Sequence, residues 1–411
     1  MFKIIVMFLL FIQYLWEQFL MYINIKFIEE KISSLPKSLP AVLQTIITPD
    51  DYTKAATYLK AKTRFEYITS SFNMILVILV IGFSLLKPID ELLSDLPIYR
   101  VLFCLIILVI LQLIAIPFKA YSTFGIEKKF GFNKSTPKIF CMDILKGFIL
   151  TILISLPLLG LLFWFYDFMG YYWWILGFFL FTGFQLLMLL VYPIIIAPIF
   201  NKFTPLSEGD LLNGIKDLAE RINFPLKGVF LMDGSKRSSH SNAYFTGIGR
   251  SKRIVLFDTL IEKLSTQELL SVLAHELGHF KLHHVKIHLF VSTIFSFFTF
   301  YILSILLKST YFFNALGYEK PSIHIGLILL GMILPIIEIF FSPLYNFMSR
   351  KHEYAADGFA KVSLPEGRKH LSNALVKLNK DNLATPQSHP LYSFIHYSHP
   401  PLAERLERLE K

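Results

Sequence analysis

A chain of 411 residues with 54% hydrophobic and only 17% charged residues, 41 of them phenylalanine, is too apolar for a soluble globular protein, which carries nearer a quarter charged. Its two cysteines, Cys104 in an apolar run and Cys141 just after a basic loop, exclude a disulfide framework and a C-x-x-C metal signature, so any metal must sit on His and acidic side chains. The formal net charge of +10 calls for no nucleic-acid partner, because the placement of the charge along the chain explains it.

Seven apolar runs approach or exceed the length a bilayer demands: 4–25, 67–86, 101–117, 148–166, 171–200, 287–307 and 323–345. The first has only Lys3 ahead of it and no small-residue cleavage site behind, which reads as an uncleaved helix and not a signal peptide. Glu17, Gln112, Gln185 and Glu338 lie inside these runs, where polar groups are costly unless they bond between helices or face a water-filled interior. With seven spans, segments 26–64, 119–146, 202–286 and the tail after 345 fall on one side and hold 35 of the 40 Lys and Arg residues. Positive charge stays cytoplasmic, which predicts an outside or lumenal N-terminus and a cytoplasmic C-terminus.

Between the third and fourth runs, the basic segment 121–136 contains Gly125, Gly131 and Asn133 and reads as a turn-rich loop without a chemical role. After the fifth run the character becomes soluble. Residues 211–222 predict an amphipathic helix, 229–232, 243–246 and 254–257 short strands, and 247–249 a turn. The edge of such a sheet can hold an extended peptide by β-addition. Asn242 opens the middle strand, where its amide suits either a substrate backbone or an ordinary turn.

Residues 265–284, STQELLSVLAHELGHFKLHH, then carry His275-Glu276-Leu277-Gly278-His279, the H-E-x-x-H pattern. Ser265 with Glu268 three residues on is a capping box, and no proline interrupts the run. On a helix His275 and His279 are one turn apart on one face and can share one ion, while Glu276, about 100° around the axis, is placed to meet a water. Leu282 and Val285 stand where the metzincin extension needs Gly and His. The better third ligand is Glu353, with Asp357 one turn on to orient a metal histidine. His283, His284, His288 and His352 are rival ligands, the first two expected to continue the same helix and point away from the site. In the tail, His399-Pro400-Pro401 opens a last helix, and His370, His389 and His396 read as surface residues.

Together HELGHFKLHH, SRKHEYAAD, SNAYFTG, FGIEKKFGFNKST, YPIIIAPIFNKFTPL and YSHPPLAERL, spanning Phe124 to Leu406, resemble the CAAX prenyl proteases, integral-membrane zinc metallopeptidases. The resemblance implies a mainly α fold of seven membrane helices around a chamber, with a small cytoplasmic α/β peptidase element and one Zn²⁺ per chain. It implies that Asn242, Ala243, Tyr244 and Phe245 contact substrate, that His399 steadies the oxyanion, and that Arg405 binds a substrate carbonyl or carboxylate. It also implies removal of three residues from prenylated C-terminal CaaX sequences. The expected division is 1–200 for helices one to five, 201–286 for a first peptidase part, 287–345 for helices six and seven, and 346–411 for a second. Two other functions compete. One is a general membrane quality-control peptidase. The other is a transporter or channel, which would have no use for H-E-x-x-H and for which no internal repeat is evident. The ending Leu409-Glu410-Lys411 lacks a dilysine signal and favours a bacterial inner membrane over the endoplasmic reticulum.

Overall fold

The structure is a computed structural model that describes residues 2–411 apart from 36, 38, 40, 45 and 248–251. The turn expected at 247–249 therefore lies largely outside the described residues.

Among the described residues, six helical stretches are long and apolar enough to cross a membrane. The longest, Pro137–Phe200, breaks at Gly170, which adopts a φ of 54° that glycine tolerates without strain. The break yields two helices, Pro137–Met169 and Trp173–Val191, that pack on each other. Counted this way there are seven spans, as the hydropathy predicts. The others are Phe2–Ile32, Pro49–Gly82, Tyr99–Ala120, His284–Leu306 and Ile323–Ser363.

The segment after Tyr99–Ala120 corrects the expected loop. Residues Tyr121–Glu127 continue the helix with π geometry, and only then does Gly131, at φ 84°, turn the chain. Glycine content misled here, because Gly125 sits within the π turn and is not a breaker.

Neighbours follow one another around the bundle. Pro49–Gly82 packs on Phe2–Ile32, which packs on Ile323–Ser363; that long helix meets Tyr99–Ala120, followed by Pro137–Met169, Trp173–Val191 and His284–Leu306. Ring contacts of His288 with Tyr345 and Phe295 with Phe341 bring the last helix back to the long one. The accessible surface is 21388 Å², against roughly 16,000 Å² expected for a compact chain of this mass. Helices ringing an open space produce such a surplus. Three of the four intramembrane polar residues find partners: Gln112 donates to Thr151 (2.7 Å), Gln185 to Ser292 (3.4 Å), and Glu17 pairs with His396 (3.2 Å). Glu338 is exposed, and a carboxylate at that depth requires water. His396 and His389 are thus not free surface residues: Asn24 accepts the backbone N–H of His389 at 2.9 Å, and both histidines tie the tail to the first span.

The peptidase part centres on a four-stranded sheet, β1 Phe203–Pro205, β2 Leu226–Met232, β3 Ala243–Thr246 and β4 Lys252–Phe257, in the order β1-β2-β4-β3. β2 and β4 are parallel and the other pairs antiparallel, which leaves β3 as an edge. β1 has three residues and ends in Pro205, too short for an alternation to be read. Ile254 and Leu256 of β4 and Leu273 and Leu277 of the helix Thr266–Lys281 are buried in one core. That core also takes Leu371 and Ala374 from Gly367–Asp381, Leu406 from Leu402–Glu410, and Tyr52 and Ala56 from the start of Pro49–Gly82. The two peptidase segments and the polar foot of the second span are one packed unit.

Candidate active site

The helix Thr266–Lys281 begins as expected: Ser265 Oγ accepts from Glu268 N–H while the Glu268 carboxylate accepts from Ser265 N–H. This capping box sets the phase that turns His275 and His279 toward the long helix Ile323–Ser363. The two helices approach closely at Gly278, where an added Cβ would lie 3.3 Å from Ala356 Cα and 3.1 Å from Phe359 Cδ1. Close approach is what lets Glu353 reach the histidines.

Three ligand atoms converge. His275 Nε2 and His279 Nε2 are 3.2 Å apart, and the Glu353 oxygens lie 3.2 Å from His279 Nε2 and 3.5 Å from His275 Nε2. A tetrahedral ion with bonds of about 2.0–2.1 Å needs donors about 3.3 Å apart. Glu353 Oε2 is buried without a hydrogen-bond partner, as an atom reserved for a cation would be. These residues fit the metal that the H-E-x-x-H motif implies, and theirs is the one such His/Cys/acid group found among the described residues.

Each histidine is held from behind. His275 Nδ1 lies 2.9 Å from Asp357 Oδ1, so its Nδ1–H donates to the carboxylate and Nε2 is left to face the ion. Arg405 clamps Asp357 through Nε (2.9 Å) and Nη2 (2.6 Å). The expected substrate contact of Arg405 therefore has only Nη1 left to make it, and that nitrogen already sits 3.8 Å from Glu353.

The second backing group corrects the expectation for the rival histidines. The motif helix ends at Lys281, and His283, at a φ of 61°, turns the chain before His284 starts a new helix. His284 consequently swings back, placing its Nδ1 3.0 Å from His279 Nδ1. It stacks at 4.0 Å on His352, whose Nδ1 meets His288 Nε2 at 3.0 Å. Among the described residues, none of the four joins the convergent group of His275, His279 and Glu353. Sequence reading missed the role of His284 because it assumed an unbroken helix.

Glu276 lines the cleft in front of the metal ligands, together with Asn242, Ala243, His399 and Arg405. Burial pushes its carboxyl above the usual range, with His275 and His279 pulling it down. His399 Nε2 lies 3.4 Å from Glu353 Oε1, its side chain 67% accessible within the cleft. The Asn242 side-chain oxygen accepts from Ala243 N–H (2.8 Å), which leaves its NH₂ to donate outward. Ala243 is buried, while Tyr244 and Phe245 are half-buried along the edge strand. The remaining wall, not foreseen, is aliphatic: Leu260, Val272, Leu371, Leu375 and Leu378. Its residues come from three elements and carry no chemical signature in sequence.

An edge strand beside a His-His-Glu group fit for a metal, with the Glu276 carboxyl in the same cleft and seven apolar helices around it, defines a multi-pass membrane metallopeptidase. Residues 30–202 match the CAAX prenyl protease N-terminal family with its five membrane helices, and residues 205–411 match peptidase family M48. The chain is 37% identical to the CAAX prenyl protease 1 homolog of Oryza sativa subsp. japonica, over 92% of this chain and 91% of that one. It is 37% identical to the CAAX prenyl protease 1 of Saccharomyces cerevisiae, over 90% and 88%. The crystal structure of S. mikatae Ste24p superposes with a TM-score of 0.91 at 34% identity, covering 99% of this chain and 98% of that one. The chain belongs to the CAAX prenyl protease branch of peptidase family M48.

Proposed function

We propose that this protein is a zinc endopeptidase that removes the last three residues from prenylated CaaX chain ends. The observation that carries the reading is the convergence of His275, His279 and Glu353 beside Glu276 and the open edge of β3. When bound, one Zn²⁺ per chain activates a water and polarises the scissile carbonyl. Glu276 takes the water's proton and returns it to the leaving amine. His399 donates to the oxyanion, Arg405 holds Asp357 and through it the tautomer of His275, and the Asn242 amide with Ala243–Phe245 aligns the peptide backbone. The aliphatic wall suits the apolar residue that follows the scissile bond of a CaaX sequence. The peptidase works as two parts, 201–286 and 346–411, joined across the sixth and seventh spans.

The 35 Lys and Arg residues on one side of the spans support a cytoplasmic C-terminus and an N-terminus outside or in the lumen. His279 closely precedes the span His284–Leu306, and Glu353 follows the apolar run 323–345 on the helix Ile323–Ser363, which supports a metal near the membrane boundary. A prenyl tail can then stay at bilayer depth while the peptide lies on β3. Lipid burial is worth about 0.8 kcal/mol per CH₂ and acts on ground and transition states alike. Removing the prenyl group is therefore expected to raise KM far more than it lowers kcat. Mass spectrometry and steady-state kinetics on matched prenylated and unprenylated CaaX peptides test this. Equal KM for the two would favour a general membrane peptidase.

A further inference from the structure

The metal cleft does not end at His399. The same side chain lines a second, solvent-open cavity of about 410 Å³, between Tyr58 and Lys62 on the helix Pro49–Gly82 and Asn379, Asn382 and Tyr397 opposite. Its lining holds ammonium, imidazole, amide and hydroxyl groups and no carboxylate. The carboxylate in the adjoining hollow, Glu127, is already engaged: Tyr58 donates to it at 2.7 Å and His240 faces it at 3.3 Å. Lys62 makes no ion pair among the described residues, its Nζ resting 5.2 Å from the centroid of the Tyr58 ring. The side-chain oxygen of Asn382 accepts from His240 Nδ1 at 2.7 Å, so its NH₂ is left to donate.

Direction follows from the sheet. A peptide added antiparallel to β3, the more stable pairing, runs with its C-terminal half past Asn242 toward Ser241 and His240. That is the side on which the cavity opens. Three extended residues span about 10 Å, the step from a scissile bond to the end of a CaaX chain.

We propose that this cavity receives the free C-terminal carboxylate of the substrate, with Lys62 as its charge partner and the Asn382 amide as a second donor. Lys62 is then a specificity-determining residue through which the enzyme measures three residues from the chain end. The inference rests on the CaaX reading above and adds what terminates the substrate site.

The test uses prenylated CaaX peptides ending in a free carboxylate or in an amide, with the full-length enzyme and its Lys62→Gln and Lys62→Arg variants. Lys62 is exposed, so neither substitution disturbs a packed core. The unaltered enzyme is expected to favour the free acid by about 10-fold in kcat/KM, chiefly through KM, as a charge-assisted hydrogen bond allows. Lys62→Gln should cut acid and amide alike, and Lys62→Arg should keep the preference. A preference that survives Lys62→Gln overturns the proposal. So does an unaltered enzyme that releases three residues from acid and amide equally, a result that leaves the CaaX reading standing. Failure to cut either peptide three residues from its end overturns the CaaX reading and this proposal with it.

Discussion

Glu276 is the residue on which chemistry and electrostatics meet. It touches the cleft and is not among the three convergent donors, so Glu276→Gln should retain metal while hydrolysis falls at least about 10²-fold. Metal content measured beside turnover checks this, and loss of both together would make Glu276 a ligand. Its acidity adds a second readout. A base must be ionised to accept a proton, and burial raises the pKa of this carboxyl. In the unaltered enzyme kcat/KM is therefore expected to fall as pH drops through that raised value, above the ordinary carboxylate range. The residual activity of Glu276→Gln should lack this limb.

At the scale of elements, two helices supply the ligands and a broken helix supports one of them. Glu353→Ala removes a donor, whereas Asp357→Ala and His284→Ala remove only what holds His275 and His279 in place. Competition with a chelator should show the largest loss of metal affinity for Glu353→Ala and losses of about 10–100-fold for the other two. His283→Ala should leave affinity unchanged, since among the described residues it is His284, not His283, that bonds to His279, and His283 lies outside the convergent group. If His283→Ala strips the metal and His284→Ala does not, the assignment of the backing histidine is wrong. The capping box, the strand Ala243–Thr246 and the Glu353–Asp357 face were legible in sequence because each depends on neighbours within one turn or one strand, whereas the edge position of that strand follows from the order of the sheet. The left-handed His283 was not, because nothing in its own side chain asks for φ 61°.

For the whole molecule, a metal held by His275, His279 and Glu353 would join Thr266–Lys281 to Ile323–Ser363, two helices separated in the chain by the membrane helix His284–Leu306. Anything that binds only the folded state stabilises it, by about 4 kcal/mol at a thousandfold excess over Kd. Chelation should therefore lower the midpoint of thermal unfolding in detergent by several degrees, and readdition of Zn²⁺ should restore it. An unchanged midpoint would mean that the ligands are held by packing alone.

Sequence by itself determined the membrane class, the seven spans, the charge asymmetry, and the His275, Glu276, His279 and Glu353 set. Each of these is written in a local run, in a spacing of three or four residues, or in a motif. Tertiary structure alone decided that Arg405 clamps Asp357, that His284 backs His279, that an aliphatic wall faces Glu276, and that Lys62 from the second span lines a cavity sharing His399 with the metal cleft. Those contacts join residues far apart in the chain, and their side chains become partners only when the core gathers both peptidase segments around the foot of the second helix.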